Sequence, residues 1–233
     1  MRILAASDVH GNHDTYRWIC ERAVQSTVDA VVLAGDLLGV PDGFASVEDA
    51  QRADATEICT LLGGLLGSLP VFYIMGNDDW IDIGPESGHM RSLHMNRRDC
   101  GGFNFVGYQC TLPFMGGVFE KPEREIAADL AALERHIDER TVLVTHSPAA
   151  GVLDSTQFGP AGSASLRDLL LRHTVRAHIH GHIHGSFGRV EQHFNVAAGR
   201  QRRAMIIDLS TMDHEVMVAP PAVGGSDPRA SGS

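Results

Sequence analysis

Residues 29–36 read Asp-Ala-Val-Val-Leu-Ala-Gly-Asp, an apolar, β-branched run that stops at Gly35-Asp36. The run is too short for a helix and shows no polar alternation, so it predicts a strand buried on both faces. The same pattern recurs four times. Arg2–Ala6 stops at Ser7-Asp8-Val9-His10, Pro70–Met75 at Gly76-Asn77, Thr141–Thr145 at His146, and Val175–His180 at Gly181-His182-Ile183-His184. Helical spacing fills much of the chain between these runs, over Asp14–Ser26, Ser46–Leu66, Glu123–Glu139 and Ser163–His173. Ser46 is placed to cap its helix, with Asp49 three residues on. Strands alternating with helices predict βαβ units and an α/β fold.

Trp80–Gly102 and Ser147–Gly162 are long, irregular stretches, and long loops inside a domain tend to carry function, here substrate selection. Phe103–Leu112 alternates like a strand or hairpin. The runs over Gly188–Val196, Ala204–Leu209 and Glu215–Val218 lack long helices between them and are expected to be antiparallel. One domain is expected over residues 1–218. Ala219–Ser233, rich in Ala, Pro, Gly and Ser, reads as a disordered tail.

The chain has 233 residues, 43% of them apolar, and a formal charge of −10. That charge argues against a partner that is a long nucleic acid, which needs a basic footprint. Four cysteines without a CxxC pair read as free thiols, and no apolar stretch has the length of a bilayer span. The expectation is therefore a cytoplasmic protein with no membrane partner.

In an open α/β sheet, ligands sit beyond the carboxyl ends of the strands. The five strand ends would bring Asp8, His10, Asp36, Asn77, His146, His182 and His184 to one rim. Two carboxylates, four imidazoles and one amide oxygen exceed the needs of one tetrahedral ion. They fit two adjacent divalent ions sharing a bridging carboxylate, and the mixed donors suit Mn, Fe, Zn or Ni. The glycines before Asp36, Asn77 and His182 are expected to take positive φ at the strand ends. His178 and His180 lie within a run and read as packing groups, with Asn12 and His180 as possible neighbours of the site.

The order Asp8-x-His10, Gly35-Asp36, Gly76-Asn77-x-Asp79, His146, Gly181-His182-x-His184 resembles the calcineurin-like metallophosphoesterase superfamily over Met1–Leu209. The resemblance implies a two-sheet β-sandwich flanked by helices. It also implies one metal ion on Asp8, His10 and His184, a second on Asn77, His146 and His182, and Asp36 bridging them. Leu37-Leu38-Gly39-Val40 replaces the acidic-Arg-Gly box of the protein Ser/Thr phosphatase branch. Thr145-His146-Ser147-Pro148 and Asn195-Val196-Ala197-Ala198 resemble small bacterial phosphodiesterases instead. The implied activity is hydrolysis of small phosphodiesters, such as cyclic nucleotides, by attack of a metal-bridging hydroxide. Phosphomonoester hydrolysis and a non-catalytic metal-binding scaffold are the alternatives. The candidate catalytic set is Asp36, Asn77, Asp78 and Asp79. Asp78 stands where the family carries a histidine, a candidate acid for the leaving group. An aspartate beside two cations is a poor proton donor, because their charge favours its ionised form. Asp79 is expected to orient a ligating imidazole.

Overall fold

The computed structural model describes residues 1–84 and 90–221. Of the tail expected over Ala219–Ser233, residues 222–233 lie outside the described residues, as do residues 85–89 of the first long loop. The chain folds into two six-stranded mixed sheets packed face to face, with helices on both outer sides.

The first sheet is built on the parallel strands β1 (Arg2–Ala6), β2 (Ala30–Ala34), β3 (Val71–Ile74) and β4 (Met90–Ser92). The second is built on β6 (Phe103–Tyr108), β7 (Thr141–Thr145), β10 (Ala177–His180) and β12 (His193–Asn195), also parallel. Antiparallel strands complete the edges. β13 (Arg203–Asp208) and β14 (His214–Val218) extend the first sheet beyond β1; β5 (Arg97–Cys100) and β11 (Gly188–Val190) flank the second. A two-stranded ribbon, β8 (Ser155–Thr156) with β9 (Gly159–Pro160), stands apart.

Side-chain alternation sorts each run into two layers. Ile3, Ala5, Val32 and Ile74 face the other sheet, where they meet Phe105, Val142, Val144 and Ile179. Phe72 and Phe105 stack across the interface with centroids 4.6 Å apart. Leu4, Val31, Leu33 and Tyr73 face outward, under α1 (His13–Gln25) and α2 (Val47–Leu66). On the opposite side, Val106, Tyr108 and Leu143 are covered by α3 (Glu123–Leu133) and α4 (Ala164–Arg172). Burial on both faces explains why these strands read as continuous apolar runs.

Three expectations are corrected. Trp80–Gly102 is not wholly irregular: β4 and β5 lie in it, and short, polar edge strands such as Arg97-Arg98-Asp99-Cys100 carry no apolar signature. The later strands are not all antiparallel, because β12 runs parallel to β10. The helix from Glu123 ends at Leu133 in a short 3-10 turn rather than continuing to Glu139. Ser46 does cap α2, its hydroxyl accepting from the Asp49 amide at 3.1 Å. Ser163 caps α4 by accepting from the Leu166 amide.

Candidate metal centre

The sheets meet at one rim. Ser7, just past β1, donates its amide to the Val196 carbonyl, and its own carbonyl accepts from Ala198. The turns following β1, β2, β3, β7 and β10 converge at this seam. Two groups of potential ligands form there, Asp8 with His10 and His184, and Asp36 with His146 and His182. Within each group, the nearest donor atoms lie within 4.8 Å of one another. His184 Nε2 is 3.0 Å from Asp8 Oδ1, and His146 Nε2 is 3.2 Å from Asp36 Oδ2. Asp36 Oδ2 is also 3.9 Å from His10 Nε2, so this one carboxylate faces both groups.

The backbone reaches this arrangement at a cost. Asp8, His10, Asp36 and His182 all have left-handed φ, between +47° and +66°. Non-glycine residues rarely adopt that region, and such strain concentrates at functional sites. The expectation for the glycines is thus met only in part. Gly35 takes φ +94°, whereas Gly76 and Gly181 do not have positive φ. Close approach explains those two: a Cβ on Gly76 would overlap the Asp36 carboxylate, and one on Gly181 would overlap Ser7 and Asp8.

Two polar atoms here bear on whether metal fits. Asn77 Oδ1 and His146 Nε2 are buried and have no hydrogen-bond partner. His146 Nε2 lies 3.2 Å from Asp36 Oδ2, while its Nδ1 is held by the Ala34 carbonyl at 2.8 Å. Orphaned buried acceptors and ring nitrogens are costly unless something absent from the polypeptide completes them. A divalent cation would do so, and the mixture of carboxylate, imidazole and amide oxygen suits one.

The surroundings fix these side chains. The Asp78 amide donates to Asp36 Oδ1 at 2.8 Å, and the His182 amide to Asp8 Oδ2 at 3.1 Å. Asp78 Oδ2 lies 3.1 Å from His10 Nδ1, which leaves His10 Nε2 free to face the centre. The carboxylate paired with an imidazole is therefore Asp78, not Asp79. Asp79 is buried and instead accepts from the amides of Leu37, Leu38 and Gly76 at 3.0, 2.8 and 2.8 Å. It ties the turn after β2 to the turn after β3. Gln51, on α2, has no distinguishing motif in the sequence. Its side chain donates to the Asp78 carbonyl at 2.8 Å and accepts from the Trp80 amide at 2.6 Å, bracing the same turn. Asn12 is occupied in capping α1. His178 is bonded to His193 and Thr145, and His180 is buried in the same strand. Arg97 pairs with Asp99 and Asp138, at the edge of the second sheet.

Asp79→Ala is expected to destabilise the fold by at least about 3 kcal/mol, because three buried amides lose their acceptor at roughly 1 kcal/mol or more each. Asp79→Asn keeps one acceptor oxygen and should cost distinctly less. Burial, reinforced by the charge of Asp36, lifts the Asp79 carboxyl to about 7, so a neutral replacement is no great change. Denaturant unfolding of the three proteins checks the ranking.

Without metal, the carboxylates of the centre hold protons on two of its imidazoles. Burial alone would lower His146 and His10, but carboxylates outweigh it. Asp36, with Asp8, lifts His146 to about 10; Asp78, with Asp36 and Asp8, lifts His10 to about 9. Burial pushes His182 down to about 4. Asp36, although buried, is held well below the usual carboxylate range by His146 and His10. The two raised imidazoles carry protons at neutral pH in the metal-free protein. Their stabilising effect is full below the ordinary histidine value of about 6.5, and is lost as pH rises through about 9 to 10. A metal ion must displace those protons. Metal uptake at pH 7 should therefore release about two protons per chain and weaken as pH falls. Calorimetric metal titrations in buffers of different ionisation enthalpy check this; proton-neutral uptake is the contrary result.

Comparison with known proteins agrees with this architecture. The family model for calcineurin-like phosphoesterases matches residues 1–186. The crystal structure of TT1561 of Thermus thermophilus overlays with a TM-score of 0.68 at 17% identity, covering 93% of this chain and 98% of that one. A dimetal phosphatase from Danio rerio overlays with a TM-score of 0.56 at 14% identity, covering 84% of this chain and 86% of that one. No curated protein sequence matches the chain. Among the described residues, no helix is long and apolar enough to cross a membrane. The two-sheet sandwich, the paired ligand clusters at its rim and the family match lead to one conclusion: the chain belongs to the calcineurin-like phosphoesterase family, whose members hydrolyse phosphoric esters with divalent metal ions.

Proposed function

We propose that the protein hydrolyses small phosphodiesters at a two-metal centre. Asp8, His10 and His184 would hold one ion, Asn77, His146 and His182 would hold the other, and Asp36, facing both groups, would be shared between them. When bound, a pair of divalent ions supplies an activated water and neutralises charge on the phosphoryl oxygens. The polypeptide supplies the rest. The Ala34 carbonyl and Asp78 fix the tautomers of His146 and His10. The Asp78 amide orients the bridging carboxylate, and Asp79 and Gln51 keep the two turns in register.

The observation that carries the preference for diesters is the Asp78 carboxylate itself, beside His10 and with 47% of its side chain exposed. Asp8, Asp36 and Asp78 would offset part of the charge of two divalent ions. The remaining positive charge suits a monoanionic diester better than a dianionic monoester. Metal analysis together with turnover of matched mono- and diesters tests the proposal. Two ions per chain and a higher kcat/KM on diesters are expected. A preference for monoesters would make the protein a phosphomonoesterase, and full metal loading without turnover would make it a binding scaffold.

A further inference from the structure

The long loops expected to choose the substrate are 80–102 and 147–162, but another segment stands beside the ligands. The chain between β6 and α3 folds back on itself. The Thr111 amide donates to the Phe119 carbonyl at 3.0 Å, and Lys121 donates to the Thr111 carbonyl at 2.9 Å. At its tip, the Phe114 ring meets the His182 imidazole edge to face, centroids 6.0 Å apart and planes at 89°. Phe114 remains 67% exposed, and Met115 and Val118 beside it are 69% and 54% exposed.

An exposed phenylalanine contributes little to a core, yet this loop is held in place. The Glu120 carboxylate accepts from the amides of Phe114, Met115 and Gly116 at 2.7, 2.8 and 2.9 Å. These amides outweigh partial burial and lower the Glu120 carboxyl. Gly117 lies so close to Asn77 that a Cβ there would overlap the Asn77 carbonyl oxygen. The loop is thus fixed at both its base and its flank, with its apolar side chains turned to solvent beside a candidate metal ligand.

We infer that Phe114, on the loop held by Glu120 and seated against Asn77, is a specificity-determining residue that packs on a flat aromatic group of the phosphoester. This inference rests on the two-metal phosphoesterase reading for its reaction, but not for its binding readout. A preorganised ring avoids most of the ordering cost of binding, and an aromatic contact favours flat substituents over small alkyl ones. A nucleobase and a simple aryl group share the required chemistry.

The test holds the leaving group constant. Phenyl p-nitrophenyl phosphate and methyl p-nitrophenyl phosphate are compared in the metal-loaded wild type, Phe114→Ala and Phe114→Trp. Phe114→Ala is expected to raise KM for the phenyl ester about fivefold to tenfold, with kcat unchanged and the methyl ester within about twofold. Phe114→Trp should retain the preference. Glu120→Ala, which frees the loop while leaving Phe114 in place, should raise KM for the phenyl ester alone, and Glu120→Gln should restore part of it. Calorimetric binding of phenylphosphonate and methylphosphonate to the same proteins gives a readout independent of turnover. A loss confined to phenylphosphonate in Phe114→Ala supports the inference. Equal losses for both ligands, or none, overturn it. Selective phosphonate binding without ester hydrolysis would leave Phe114 with this role and remove the phosphoesterase reading instead.

Discussion

Asp36→Asn is expected to lower kcat by about a thousandfold or more, equivalent to roughly 4 kcal/mol of barrier, and to leave fewer than two ions bound per chain. The reasoning follows from position. Asp36 is the carboxylate that faces both ligand groups, 3.2 Å from His146 and 3.9 Å from His10. Asparagine matches its volume and can still accept the Asp78 amide, so the turn should survive. What it lacks is the negative charge that lets two cations sit side by side. The same charge holds the protons on His146 and His10 in the metal-free protein, so the variant should also release fewer protons on taking up metal. Metal content, steady-state turnover and thermal unfolding are measured together. Full turnover in a variant that folds normally would remove Asp36 from the bridging position. Wild-type turnover after thorough chelation would count equally against the two-metal proposal.

How far the sequence could be read depends on what each segment buries. β1, β2, β3, β7 and β10 announce themselves because both faces are covered, by helices outside and the opposite sheet within. The convergence of the candidate ligands at their ends then follows from the topology of parallel strands. α1, α2 and α4 are legible to within about a residue at most ends, where Asn12, Ser46 and Ser163 provide caps. β5 is hidden from a sequence reading because Arg97, Arg98 and Asp99 sit at a sheet edge and owe their conformation to backbone pairing with β6. The parallel sense of β12 depends on which strand it meets, a fact of tertiary packing that no local pattern carries.

Around the site, the limit is finer. Residue type points to Asp8, Asp36 and the histidines, because these side chains have the donors that metals require. It does not say which neighbouring carboxylate turns inward. Asp78 and Asp79 are adjacent, yet one meets an imidazole and the other three backbone amides. Both belong to a turn closed by the Asp79 amide on the Gly76 carbonyl at 3.3 Å, and the geometry of that turn, not residue type, decides where each side chain points. Gln51 and Glu120 act on backbone groups far from them in sequence order or hidden in a loop, so nothing in their local pattern distinguishes them from solvent-facing residues.

Activated aryl diesters are expected to turn over about 10²–10⁴-fold faster than alkyl diesters, the range that general acid catalysis otherwise supplies. The reason lies in the identity and the engagement of Asp78. Where the resemblance implies a histidine able to protonate a leaving group, this chain offers an acid whose Oδ2 is 3.1 Å from His10 Nδ1. A carboxylate holding an imidazole in place is a positioning residue and not an acid for the leaving group. Poor leaving groups then depart without a protein acid, whereas p-nitrophenolate needs none. Two variants separate positioning from acid catalysis. Asp78→Ala should weaken metal affinity about tenfold to a hundredfold, as loss of a partner to a ligating histidine does. At saturating metal it should keep p-nitrophenyl diester turnover within about tenfold of wild type, because a leaving group of that kind draws nothing from general acid catalysis. Asp78→His should narrow the gap between aryl and alkyl esters by raising the alkyl rates. A loss of about a thousandfold on the activated ester that excess metal cannot restore would instead make Asp78 a direct participant. Equal aryl and alkyl rates in the wild type would show that another group protonates the leaving oxygen.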